Sequence, residues 1–397
     1  MGVITKLFQP FTLFFRSNSI GGIILLFCVA IAIVIANNSN LGEAYHHFLT
    51  TNITIFNTQI NIHFIVNEVL MSVFFLLVGL EIKRELMEGE LASIKQASLP
   101  IFAAIGGMLI PALLYSLFNF GTANISGWGI PMATDIAFAV AIISLLGKKV
   151  PLSLKIFLTA LAIVDDLGAI VVIAIFYTAS IQWTYLFMAL ACTLILLFLN
   201  KKNGRHLFPY LIIGLFLWYF IYQSGIHATI AGVILALTVP TNKGNKISPL
   251  EKLEHRLAKP VAFLIMPLFA LVNTAIVLNV EALSSLSSPI GIGIGFGLIL
   301  GKVIGISLFT YIAIQLKWSA MPTHCNAKHI IGAGFLAGIG FTMSIFIALL
   351  SFSDLQSQTT AKLAILVASI ISGIIGFAIL RSTKDSVQTA EPTTVQL

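Results

Sequence analysis

The sequence predicts an all-α, polytopic membrane protein with twelve transmembrane helices. Of its 397 residues, 58% are hydrophobic and only 9% are charged, whereas a soluble domain carries about 25% charged residues. The apolar residues form runs long enough to cross a bilayer, which takes about 20 residues per helix. The Lys and Arg residues fall between these runs in a regular alternation. This distribution accounts for the net charge of +7 better than a nucleic-acid partner does.

The connections between the apolar runs set the predicted orientation. The twelve runs lie near 12–36, 63–86, 98–118, 124–146, 153–177, 184–200, 207–220, 225–239, 256–278, 290–314, 329–352 and 359–380. One set of alternate connections, together with both ends of the chain, carries nearly all of the 22 Lys and Arg residues, and the other set carries none. The positive-inside rule therefore predicts that both termini are cytoplasmic.

The chain is predicted to form one transmembrane domain over residues 1–384. The first apolar run is longer than the core of a signal peptide, and no clear cleavage site follows it, so we interpret it as a membrane helix. Residues 385–397 are polar and are predicted to be a disordered cytoplasmic tail. The three cysteines lie far apart in the sequence, which predicts neither a disulfide framework nor a zinc site.

The longest outer connection contains a predicted β-hairpin within about 45–62. In "NITIFNTQINIHF", isoleucines alternate with polar residues on both sides of "NTQ", the pattern of two short strands joined by a turn. A lone hairpin is marginally stable in water, so we expect it to pair with a second subunit in a homodimer. The alternative is a loop that lies on the membrane surface.

Two of the predicted spans are interrupted. The fourth reads "GWGIPMATDIAFAV", with Pro131 before Thr134 and Asp135, and the eleventh reads "GAGFLAGIGFTMSIFIAL", with four glycines before Thr342. Proline and clustered glycine weaken or break helices, and unpaired backbone at this depth is tolerated only inside protein or beside a cavity. One interruption in each half of the chain indicates a substrate site in a transporter, with simple packing kinks as the alternative.

The tenth span carries a glycine at every fourth position, in "GIGIGFGLILGKVIG". The four positions are 293, 297, 301 and 305. Such a small-residue face is typical of close packing between membrane helices. No strand precedes it and no dinucleotide-binding register fits, so a nucleotide-binding loop is not predicted.

Four ionisable residues lie near the middle of predicted spans. Asp165 and Asp166 are about 15 Å from either end of their apolar run at 1.5 Å per residue. Asp135 and Lys302 lie near the middle of the fourth and tenth spans. Each acid at this depth costs about 2.5–3.5 kcal/mol, so a functional role is expected. Since adjacent helical residues point about 100° apart, one member of the acid pair can contact Lys302 while the other faces Asp135.

This chemistry suits a hard cation that competes with protons. Carboxylates, the hydroxyl of Thr134 and freed carbonyl groups are oxygen ligands, and no His or Cys is near in sequence. A small monovalent ion therefore fits better than zinc. Because a cation and protons cannot use the same oxygen lone pairs, binding of one releases the other. No cofactor is predicted.

Several motifs resemble the NhaA-type sodium/proton antiporter family. The strings "GLEIKRELMEGEL", "ATDIAF", "AIVDDLGAI", "SGIHATIAGV", "GKVIGISLF" and "GIGFTMSIF" lie across nearly the whole chain. The resemblance implies a twelve-helix inner-membrane protein with an inverted repeat of spans 3–5 against spans 10–12. It also implies two unwound helices that cross at mid-membrane, and electrogenic exchange of Na+ or Li+ for more than one H+.

The resemblance also implies roles for particular residues. Asp166 is expected to be the main ligand of the cation and the proton. Asp135 and Thr134 are expected to assist, and Asp165 to pair with Lys302. The expected pH-response region near the cytoplasmic mouth matches Glu81, Glu85, Glu254 and His255. "RLAKP" follows His255 and lacks additional titratable residues found there in some relatives.

Three of the candidates have a second interpretation. Glu81 and Glu85, one helical turn apart, form either a negative funnel that attracts cations or a solvated helix end. His227, at the start of the eighth span, is either a pH sensor or a structural hydrogen-bonding residue.

Other functions fit the sequence less well. A proton-coupled transporter of a small organic solute would also use mid-membrane acids, but with more hydrogen-bonding side chains. An intramembrane aspartyl protease needs a G-x-G-D string, which the sequence lacks. A prenyltransferase would need aspartates one helical turn apart, and position 169 is Ala169. The buried Lys302 argues against a passive cation pore. An enzyme is therefore not predicted.

Overall fold

The computed structural model describes residues 20–55, 58–178, 181–202, 206–241 and 248–383, and within them the chain is almost entirely helical. The predicted tail, 385–397, and the first part of the first predicted span lie outside the described residues. The helices, in chain order, are α1 (Ile20–Ala36), α2 (Leu41–Thr50), α3 (Ile62–Glu88), α4 (Ile94–Asn119), α5 (Ile136–Leu145), α6 (Leu152–Phe176), α7 (Trp183–Lys201), α8 (Leu207–Gln223), α9 (Thr229–Thr238), α10 (Pro249–Asn273), α11 (Val280–Ser284), α12 (Pro289–Gln315), α13 (Ala327–Ala337), α14 (Phe341–Ser351) and α15 (Leu355–Arg381).

Length and apolarity make the protein a multi-pass membrane protein. Among the described residues, eight helical segments are long and apolar enough to cross a bilayer, and up to ten if each of two bent helix pairs counts as one span. One of the eight is Ala123–Leu145, which joins a 3-10 helix to α5. α8 and α9 are apolar but shorter. α9 has ten residues and is therefore about 15 Å long. It covers only part of the apolar run predicted at 225–239.

The segment after α1 differs from the predicted hairpin limits. The chain bends by 112° between α1 and α2, and the side chain of Asn38 accepts hydrogen bonds from the backbone N–H groups of Asn40 and Leu41 at the start of α2. Residues 45–50 lie in this helix, so only part of the predicted hairpin segment, about 45–62, is extended. Two three-residue strands follow, β1 (Ile53–Ile55) and β2 (Thr58–Ile60), paired antiparallel with Ile53 opposite Ile60.

The glycine face of α12 packs tightly against α4. A Cβ atom at Gly305 would overlap the carbonyl oxygen of Gly106, and one at Gly301 would lie 2.8 Å from the Cα of Pro111. Gly106 and Gly305 approach this closely because neither carries a side chain, and Gly301 leaves room for Pro111. The contact fixes the segment Gly297–Gly301, a π-helical turn immediately before Lys302.

Candidate ion-binding site

The two interrupted spans meet at their breaks. The 3-10 helix Ala123–Met132 ends in extended backbone, and α5 begins at Ile136. α13 and α14 meet at a bend of 47°. The backbone N–H of Asp135 donates a hydrogen bond of 2.7 Å to the carbonyl oxygen of Ile339, between α13 and α14. This bond pairs a backbone N–H group of one break with a backbone carbonyl group of the other, and buried backbone groups need such partners.

Asp135 caps two helices at this crossing. Its Oδ1 accepts a hydrogen bond of 3.1 Å from the N–H of Phe138, in the first turn of α5. Its Oδ2 accepts two from Thr342, in the first turn of α14: 3.1 Å from the N–H and 2.5 Å from Oγ1. The side chain is buried. An anion at helix N-termini is stabilised by unpaired N–H groups and by the helix dipoles.

Asp165 forms a buried ion pair with Lys302. Oδ2 of Asp165 lies 2.5 Å from Nζ of Lys302, and both side chains have a relative exposure of 0%. Oδ1 of Asp165 has no hydrogen-bond partner among the described residues. The carboxylate thus uses one oxygen for the pair and keeps the other available.

Thr134 has two acceptors for one hydrogen. Its Oγ1 lies 2.8 Å from Oδ2 of Asp165 and 2.8 Å from the carbonyl oxygen of Ala337, the last residue of α13. A hydroxyl carries one hydrogen and two lone pairs, so it donates to only one of the two oxygens at a time. The hydroxyl is therefore shared between Asp165 and the end of α13.

Asp166 is the least satisfied of the three acids. It is 2% exposed, and its Oδ1 has no hydrogen-bond partner in the described part of the chain. Its electrostatic neighbours are the carboxylates of Asp165, Asp135 and Glu81 and the ammonium group of Lys302. A buried polar oxygen without a partner is costly, and binding a proton or a cation would remove that cost.

Three of the expected pH-response residues lie together at the end of α3. The guanidinium group of Arg84 is 3.1 Å from a carboxylate oxygen of Glu85 and 3.1 Å from one of Glu254, on α10. Glu81 interacts electrostatically with the same three groups. His255 is exposed and interacts with Glu254.

This acidic cluster continues into the following loop. The other carboxylate oxygen of Glu85 accepts a hydrogen bond of 3.0 Å from the N–H of Glu90. Burial raises the pKa of the Glu90 carboxyl, and the neighbouring Glu85 carboxylate raises it further. Because Glu81 also interacts with Asp166, the cluster is electrostatically connected to the mid-membrane acids.

His227 lies apart from the cluster. Its Nε2 is 2.9 Å from the carbonyl oxygen of Tyr177, just after α6, a contact in which the ring nitrogen must carry the hydrogen. The hydroxyl of Tyr177 donates to the carbonyl oxygen of Ser126, in the 3-10 helix before α5. His227 is thus linked to an interrupted span through Tyr177.

Sequence reasoning did not count Thr342 among the site residues. The string "GIGFT" indicated only the interruption. The available signal was the position of a hydroxyl in the first turn of a broken helix, where side chains and backbone N–H groups often bind the same anion. In the described residues, no group of three or more His, Cys, Asp or Glu side chains is arranged to hold a metal ion.

The bundle of apolar helices, the two crossed breaks and the buried acids define a membrane transporter. The comparisons with known proteins agree. The family model described as "Na+/H+ antiporter 1" matches residues 12–380, and the chain belongs to that family. It is 52% identical over 377 residues to the Na+/H+ antiporter NhaA 2 of Flavobacterium johnsoniae, covering 94% of this chain and 92% of the relative.

Other relatives extend the similarity beyond one genus. The chain is 51% identical over 378 residues to the Na+/H+ antiporter NhaA of Flavobacterium psychrophilum, covering 95% of this chain and 96% of the relative. It is 48% identical over 376 residues to the Na+/H+ antiporter NhaA of Cronobacter sakazakii, covering 93% and 96%. These matches confirm the resemblance seen in the motifs, and the proteins concerned are transporters rather than enzymes.

Proposed function

We propose that the protein exchanges Na+, or Li+, for H+ by competition at Asp166 and Asp165. The observation that carries this proposal is the pair of buried Oδ1 atoms, one on each aspartate, that have no partner among the described residues. A proton or a small cation can occupy these lone pairs, but both cannot occupy the same ones. The family membership supports sodium and protons as the transported ions.

The charges around the acids support exchange of more than one proton per cation. Asp166 is the main ligand and releases one proton when the cation binds. Asp165 contributes its free oxygen to the cation, and its ion pair with Lys302 takes part in the exchange of further protons. Thr134 can donate its single hydroxyl hydrogen either to Asp165 or to the Ala337 carbonyl oxygen, so we propose that this hydrogen bond changes when Asp165 binds the cation. Asp135 supplies negative charge near the site.

Twelve spans follow if the shorter elements also cross the membrane. The eight helical segments, the two bent pairs and the shorter α8 and α9 give this number. The distribution of Lys and Arg in the sequence supports cytoplasmic termini in a bacterial inner membrane. Exchange would then move cytoplasmic Na+ outward and periplasmic H+ inward, which serves sodium and pH homeostasis. We place one transmembrane domain at 1–384, with spans 3–5 and 10–12 as inverted repeats.

The pH response is assigned to the acidic cluster at the cytoplasmic mouth. Glu81, Glu85 and Glu254 would attract cations to the cytoplasmic mouth, and His255 lies beside Glu254. The electrostatic connection of Glu81 to Asp166 supports this assignment. His227 lies apart from this cluster, and we assign it a separate part in the pH response through its contact with Tyr177.

The strands β1 and β2 are assigned to a periplasmic hairpin that joins two subunits. The pair is short, with three residues on each side, and an isolated hairpin is marginal in water. Pairing with the same hairpin of a second copy would add hydrogen bonds on an open strand edge. Deleting 52–62 should lower the dimer fraction in detergent, and an unchanged fraction would remove this assignment.

The test of exchange uses everted membrane vesicles with an acidic interior. Adding Na+ or Li+ should dissipate the proton gradient, and Asp166→Asn should abolish this response. Asp354→Asn is the matched control, because Asp354 is an exposed acid at the start of α15. Dissipation only by an organic solute would favour a solute transporter instead. A rate that does not respond to a clamped membrane voltage would contradict the exchange of unequal charges.

A further inference from the structure

We propose that Thr342 is a positioning residue of the exchange site: its hydroxyl holds Asp135 as an anion across the crossing of the two broken spans. The inference rests on the proposed exchange at Asp166. Thr342 would then contribute to the affinity for the cation, although the hydrogen bonds described above join it to Asp135 and not to Asp165 or Asp166.

The geometry around Asp135 consists of donors only. Thr342 gives two hydrogen bonds to Oδ2, and Phe138 gives one to Oδ1. An ionised carboxylate is an acceptor at every lone pair, while a protonated one must donate. Burial alone disfavours a charge on this 1% exposed side chain, and the three donors oppose that effect by stabilising the charged form. The two Thr342 bonds also join α14 to the start of α5.

The charge that Thr342 holds acts on the cation ligand. Asp135 is one of the electrostatic neighbours of Asp166, and electrostatic interactions are strong where water is scarce. If the hydroxyl of Thr342 is removed, one lone pair of a buried carboxylate loses its donor. Asp135 then either turns away or binds a proton, and in both cases the negative charge near Asp166 is reduced. The cation should bind less tightly, while the groups that exchange protons stay in place.

A neighbouring serine provides a matched control. Ser344 lies two residues further along α14 and is fully buried, and its hydroxyl donates a hydrogen bond of 2.8 Å to the carbonyl oxygen of Ile130. This bond also joins α14 to the interrupted fourth span, but it ends on a neutral carbonyl. Loss of the Ser344 hydroxyl therefore tests the structural contribution of such a bond without changing the charge on Asp135.

The experiment compares Na+-dependent exchange in everted vesicles for wild type, Thr342→Val, Thr342→Ser and Ser344→Ala. Valine keeps the branched shape of threonine and removes the hydroxyl. Thr342→Val should raise the KM for Na+ about tenfold with little change in the maximal rate, since a hydrogen bond to a charged group is worth somewhat more than a neutral one. Thr342→Ser should restore the KM to near the wild-type value, and Ser344→Ala should leave it unchanged.

The outcomes separate this inference from the proposed function. If wild-type vesicles show no Na+-dependent exchange, the proposed function itself fails. If wild type exchanges and Thr342→Val keeps the wild-type KM, the positioning role is wrong. An equal rise in KM for Ser344→Ala would also overturn it, because the effect would then be structural. Should Thr342→Val not accumulate, Thr342→Cys, a weak donor of similar size, should raise the KM to an intermediate value, and an unchanged KM there would contradict the inference.

Discussion

Asp135 and Asp166 are both buried acids near the middle of the membrane, yet their surroundings are opposite. Asp135 accepts hydrogen bonds on both carboxylate oxygens from the first turns of α5 and α14. Asp166 has an oxygen with no partner among the described residues and carboxylates as neighbours. Asp165 lies between these extremes, with one oxygen on Lys302 and the other without a partner.

The difference separates acids that maintain the fold from acids that exchange ligands. A carboxylate that accepts hydrogen bonds on both oxygens from backbone and side-chain donors stabilises the structure and has little capacity for a further ligand. A carboxylate with unfilled lone pairs destabilises the structure until it binds a proton or a cation. Substitutions at the first kind should therefore change stability more than transport, and those at the second kind should do the reverse.

The largest stability effect is expected from breaking the Asp165–Lys302 pair. Lys302→Met removes one partner and leaves a buried charge on Asp165, which costs about 3–5 kcal/mol. The double variant Asp165→Asn with Lys302→Met removes both charges and should be clearly more stable than the Lys302→Met single variant. Thermal unfolding of purified protein in detergent measures both. Additive losses would mean that the two side chains do not depend on each other.

Asp135→Asn gives the next largest effect on stability. The amide nitrogen of Asn cannot accept the hydrogen bonds that one carboxylate oxygen now accepts, so about 2 kcal/mol should be lost. Exchange should continue with a higher KM for Na+. Asp166→Asn should show the opposite pattern, with no exchange and a stability at least equal to that of wild type. Loss of exchange in both variants at unchanged stability would erase the distinction between the two acids.

Thr134→Val should have a smaller effect on stability. The hydroxyl has two acceptors but one hydrogen, so its removal costs the equivalent of one hydrogen bond, about 1 kcal/mol. The KM for Na+ should rise, because Asp165 and the Ala337 carbonyl lose the group that they share. Thr134→Ser keeps the hydroxyl and should behave like wild type. A KM that is unchanged in Thr134→Val would show that the hydroxyl takes no part in cation binding.

The sequence was sufficient to predict the interruptions and the mid-membrane charges. Pro131, the glycines around Gly338 and the acids in an apolar run each leave a local signal, and the cost of isolated buried charges indicated that one of the two adjacent acids contacts Lys302. That this acid is Asp165 was implied only by the family resemblance. Which acid is satisfied could not be predicted. The bond from Thr342 to Asp135 joins residues 207 positions apart, so it depends on how two broken helices cross.

The segment after α1 shows a second limit of sequence reasoning. Alternating isoleucines predicted a hairpin that turns at "NTQ" and continues through Ile62 and Phe64, but Thr58 and Gln59 lie in β2 and the helix α3 begins at Ile62. The residues before β1 were also assigned to the hairpin. α2 forms there because Asn38 accepts the first backbone N–H groups after a sharp bend. Side chains that cap a helix compete with extended structure through local hydrogen bonds, and alternation of hydrophobic residues does not reveal them.

Asp354 gives the smallest expected effect and tests whether burial makes the difference at Asp135. Like Asp135, it precedes a helix and accepts a hydrogen bond from the N–H three residues later, in this case Ser357. Hydrogen bonds from Ser357 lower the pKa of the Asp354 carboxyl below its usual value of 3.8. This carboxylate is exposed, so Asp354→Asn should cost only a few tenths of a kcal/mol at pH 7.

The pH dependence of that loss has a definite sign. Because the pKa of Asp354 is lower in the folded protein than in the unfolded chain, its charge stabilises the fold above the unfolded pKa. The stabilisation is lost as the pH falls through the folded pKa, so wild type and Asp354→Asn should converge in thermal stability below about pH 4. A loss at pH 7 as large as that of Asp135→Asn would mean that capping alone, without burial, explains the contribution of both acids.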